Sequence, residues 1–169
     1  MKILGLTLVV LSSGLCGVNF VSVRKDRLDE LRSFIYMLEL IKAELSTNLS
    51  PLPVVVNKVS ESICGKAADF SKLLLLNLSV LGEKCFETIW NESFRACETS
   101  FSAEEEQAIM KLGLILGKYE INFQTQAIED CILVLRKREE SCSASYPQTK
   151  RLSLGLSVSA GLLLAIILV

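Results

Sequence analysis

Two charge-free apolar runs, residues 3–23 and 152–169, bracket this chain and constrain what lies between them. The first is 21 residues long and the second 18. A helix of about 20 residues rises roughly 30 Å, the thickness of a bilayer's hydrocarbon core. The second run is slightly short, which local thinning of the bilayer accommodates. Residues 24–151 hold all 19 acidic residues and 17 of the 18 basic ones, so a mean hydropathy of +0.43 alongside 22% charged residues reflects segregation along the chain. The pattern predicts a transmembrane helix at 3–23, a cytoplasmic helical domain over 24–149 and a second transmembrane helix at 152–169. At 169 residues there is room for one core between the spans. A cleaved signal peptide is the competing reading of the first run. Against it, Lys2 is the lone preceding base, the run exceeds a usual signal core, and no small-x-small site closes it. Leu15 precedes Cys16, where a lipoprotein signal needs a small residue.

Orientation follows from the flanking bases. Arg24, Lys25, Arg27, Arg32, Arg136, Lys137, Arg138, Lys150 and Arg151 lie on the domain side of the runs, and only Lys2 lies on the other. The positive-inside rule then places the domain in the cytoplasm. In that reducing compartment, Cys64, Cys85, Cys97, Cys131 and Cys142, which show no C-x-x-C spacing, read as small, mostly buried, unpaired thiols. The N-x-S sequences at Asn48, Asn77 and Asn91 then carry no glycan, since acceptors act only in a secretory lumen.

Helical periodicity dominates the middle. Leu28, Leu31, Ile35, Leu38, Ile41 and Leu45 recur at three- and four-residue steps, and no Gly or Pro separates them from the first run. The first helix is therefore expected to extend from the membrane to about Thr47. Ser50 is expected to cap a second helix with Pro51 and Pro53 in its first turn, ending near Gly65. The run 73–81 reads as the most buried helix and Gly82 as a break. Phe86, Ile89, Trp90 and Phe94 form the next stripe. Ser102 with Glu105 reads as a capping box opening a helix that carries Ile109, Leu112 and Leu116. A last helix presents Ile121, Ile128, Cys131, Ile132 and Leu135, and a short kink or linker is expected around 143–149 at Pro147. The first and last helices should pair antiparallel. The fold class is all-α: a small helical bundle between two terminal transmembrane helices.

Chemistry-bearing motifs are scarce. The chain has no histidine, no phosphate-binding glycine loop and no G-x-S-x-G, so no enzyme, cofactor or metal site is expected. Glu104, Glu105 and Glu106 fit a helix's first turn, where the macrodipole favours negative charge. Arg136, Lys137 and Arg138 run directly into Glu139 and Glu140, and read as a solvated or membrane-facing strip, with no nucleic acid or small-molecule substrate expected. Packing signals are clearer. Gly113 and Gly117 stand four residues apart on one expected helix face. Ser153, Ser157, Gly161 and Ala165 make a small-residue stripe in the second run, matched by Gly5, Ser13 and Gly17 in the first.

Several motifs resemble the stage III sporulation protein AB family of endospore-forming bacteria. They are Ser50-Pro51-Leu52-Pro53, Trp90-Asn91-Glu92-Ser93, Leu112-Gly113, Leu116-Gly117-Lys118 with Gln124, and Lys150 followed by Leu154-Gly155 and Gly161. Glu120 stands where the family has an aspartate, and Pro147 interrupts a normally continuous charged helix. The resemblance implies a domain similar to the cytoplasmic domain of type II secretion F proteins. It also implies a role as a non-enzymatic membrane platform in the mother cell–forespore channel, in the mother-cell membrane. Implied partners are the ATPase AA, the other membrane subunits and the ring subunit AG. The implied packing residues are Trp90, Gly113, Gly117, Gln124, Ser157 and Gly161. The alternative is an exported or inverted helical signalling domain with a cleaved signal.

Overall fold

The computed structural model describes the backbone of residues 2–48, 50–80 and 82–168 and the side chains of 25–48, 50–79 and 82–144. Six α-helices follow one another among these residues: α1 (Lys2–Asn48), α2 (Leu52–Ser62), α3 (Lys66–Asn77), α4 (Phe86–Ala96), α5 (Ala103–Ile115) and α6 (Ile121–Leu168). A 3-10 turn, Leu78–Val80, follows α3, and no β-strand occurs among the described residues. The chain divides into two compact units, Asp29–Glu139 and the pair Met1–Leu28 with Glu140–Val169. Among the residues with described side chains, no helix is long and apolar enough to cross a membrane. The expected spans at 3–23 and 152–169 lie outside those residues, as do Ser157 and Gly161.

Within Asp29–Glu139, ion pairs set the direction of α1 against α6. Arg32 meets Glu139 at 2.8 Å, Glu39 meets Arg136, and Lys42 meets Glu129 at 3.1 Å. As α1 advances, its partners on α6 step backwards, so the two helices are antiparallel, as expected. The shorter helices pack in sequence, α2 on α3, α3 on α4 and α4 on α5. The core joins them through aromatic rings. Phe34 of α1 lies 5.8 Å from Phe70 of α3 and 4.9 Å from Phe101, and it meets Phe94 of α4 edge-on at 6.1 Å. Phe70 in turn meets Trp90 edge-on at 4.9 Å. Each such pair contributes about 0.5–1.5 kcal/mol beyond the area it buries.

Local starts and stops differ from expectation in four places. The N-cap of α2 is Pro51, not Ser50: Pro51 has an extended ψ of 141°, and its carbonyl accepts from Val54 and Val55 at 2.9 and 3.2 Å. That helix ends at Ser62, where Ile63 turns extended, and Gly65, at φ +76°, opens α3 instead. The run 73–81 is not the most buried helix. Phe70 and Leu74 set the core face of α3, and Leu76, about 200° around the helix from Leu74, is 71% exposed. A surface helix offers the core one stripe, however apolar the rest of its sequence. Finally, of the kink or linker expected at 143–149, the linker is absent, because α6 is one helix from Ile121 to Leu168. An interior proline deletes one backbone hydrogen bond and kinks a long helix more readily than it ends it.

At α5 the Glu105 half of the expected capping box forms: Ser102 is the N-cap and its N–H donates to Glu105 at 2.6 Å. A second carboxylate ties a loop that local sequence gives no hint of. Glu30, buried on α1, accepts the Ser100 backbone N–H at 3.1 Å to each oxygen and also the Ser100 hydroxyl. The α4–α5 connection is thereby held against α1. Hydrogen bonds to a charged group stabilise by about 1.5–3 kcal/mol, whereas exposed ion pairs contribute about 0–1 kcal/mol. Glu30→Ala should therefore cost about 2 kcal/mol, and Arg136→Ala less than about 1 kcal/mol. Urea unfolding of the full chain in detergent, followed by fluorescence of the single, buried Trp90, measures both; equal losses would contradict this ranking.

Candidate interaction site

Four of the six residues singled out for packing have described side chains, and all lie on the α4–α5–α6 side of the fold. Trp90 is fully buried on α4. Its indole N–H donates to the Ile109 carbonyl on α5 at 2.9 Å. One turn along α5, a Cβ built on Gly113 would stand 2.8 Å from Trp90 Cδ1, 3.0 Å from Cγ and 3.1 Å from Cβ. Gly113 therefore admits an indole edge, not another backbone, and the strip from Ile109 to Gly113 receives both the polar and the apolar part of that edge. A buried indole N–H needs such a partner.

Gly117 does something different. Helix α5 ends at Ile115, Leu116 is its C-cap with extended dihedrals, and Gly117 follows at φ +79°, where an added Cβ would meet nothing within 4 Å. The two glycines do not share a helix face. Gly117 supplies the left-handed turn that closes a helix, a conformation in which other residues are strained. Gln124, on α6 and 7% exposed, then locks this turn. Its Oε1 accepts the Gly117 N–H at 3.2 Å, and its Nε2 donates to the Tyr119 carbonyl at 2.5 Å. Glu120, where the resemblance expects aspartate, stands just before α6, and its carbonyl accepts from Phe123 and Gln124 at 3.0 and 3.1 Å. Together Trp90, Gly113, Gly117 and Gln124 supply shape and neutral hydrogen bonds, not a titratable group.

Charged and thiol groups nearby are largely accounted for. Arg136 pairs with Glu39 and Arg138 with Glu104, with Glu105 at 4.0 Å from the Arg138 Nε. No cluster of three metal-ligating side chains occurs among the described residues. Burial pushes the Cys131 thiol up to about 12 and raises that of Cys97. The other three thiols are not buried as expected: Cys142 is half-buried, Cys64 and Cys85 are exposed, and hydrogen bonds from Thr88 lower the Cys85 pKa. Sequence reasoning missed two exposed aromatics, Tyr119 in the locked turn and Phe123 in the first turn of α6, whose rings lie 6.1 Å apart. The signal was available: Phe123 falls off the apolar stripe of Ile128, Cys131, Ile132 and Leu135.

A profile of the stage III sporulation protein AB family matches residues 2–169. The chain belongs to the stage III sporulation protein AB family. A solved structure of a stage III sporulation protein AB superposes with a TM-score of 0.65 at 17% identity, covering 72% of this chain and 97% of that one, which shows a shared fold. No curated protein sequence matches the chain. The match places this chain in a sporulation protein family. The stretch from Leu112-Gly113 through Gln124 has a physical reading in this chain: an indole seat followed by a locked turn.

Gly113→Ala should destabilise the chain by about 1–3 kcal/mol through overpacking against Trp90. Gly117→Ala should cost about 1 kcal/mol and Gly117→Asn less, because asparagine tolerates the left-handed region. Thermal unfolding by circular dichroism tests the order, and a neutral Gly113→Ala would contradict the tight seat.

Proposed function

We propose that this chain is a non-enzymatic platform subunit of the mother cell–forespore channel, held in the mother-cell membrane by spans at 3–23 and 152–169. The observation that carries the reading is the family match over residues 2–169, which includes both apolar runs. The nine bases on the domain side of those runs against one outside support a cytoplasmic domain. The small-residue stripe with Ser157 and Gly161 would pair the two spans in lipid. On this reading the helical domain, similar to that of type II secretion F proteins, adapts the ATPase AA to the other membrane subunits and the ring subunit AG. The residues around Trp90 fit that role, since they build a rigid support and offer no reactive group.

Topology is the direct test. Cys64 and Cys85 are exposed, whereas Cys131 is buried with a raised pKa. With a membrane-impermeant maleimide, intact cells should leave Cys64 and Cys85 unlabelled, and permeabilised cells should label both. Cys131 should react only after denaturation, which controls for burial. Labelling of Cys64 or Cys85 in intact cells would reverse the orientation and favour the exported reading.

A further inference from the structure

We draw no further inference here: the strongest candidate, the apolar groove between α5 and α6 lined by Leu112 and Cys131, with the exposed Phe123 in the first turn of α6, is an unpartnered face, and nothing in the structure shows what covers it.

Discussion

The fold turns on one close approach, the Trp90 indole seated against Gly113 with its N–H on the Ile109 carbonyl. A side chain at residue 113 would move the indole, and the indole touches Phe70, which touches Phe34 on the long first helix. A single missing methyl on α5 thus sets the position of rings contributed by α4, α3 and α1. Interiors are packed too closely for such a displacement to stay local.

Polar groups fix what the rings cannot. Glu30 reaches across 70 residues of sequence to hold the loop at Ser100, and Gln124 clamps the turn at Gly117 and Tyr119. Both connections flank α5, the helix that carries the Gly113 seat, so its position is set at each end as well as in the middle. The ion pairs between α1 and α6 add direction more than stability, since they lie at the surface. A body fixed in this way suits a subunit whose proposed task is to hold others in place.

Helix periodicity and the Ser102–Glu105 cap were readable along the chain because they depend on neighbours three or four residues away. The antiparallel pairing of α1 with α6 was readable from connectivity. The equivalence of Gly113 and Gly117 was misleading, because spacing does not reveal that the helix ends between them at Leu116. A glycine after the last apolar residue of a helix is a known stop signal, and it applied here. The leucines at 73–76 look alike in sequence, but the bundle gives them only one buried stripe, set by Phe70 and Leu74. Glu30 was illegible for a different reason: its partner is remote, and nothing local marks a buried carboxylate.

Amide hydrogen exchange on the full chain in detergent tests most directly whether one core, centred on Trp90, unites these helices. If it does, Trp90→Phe lowers the protection of the slowest amides in the 34–41 segment of α1, in α3, in α4 and in α5 together and by a common amount, as one cooperative unit would. A loss confined to α4 and α5, with α1 and α3 still protected as before, would contradict the account.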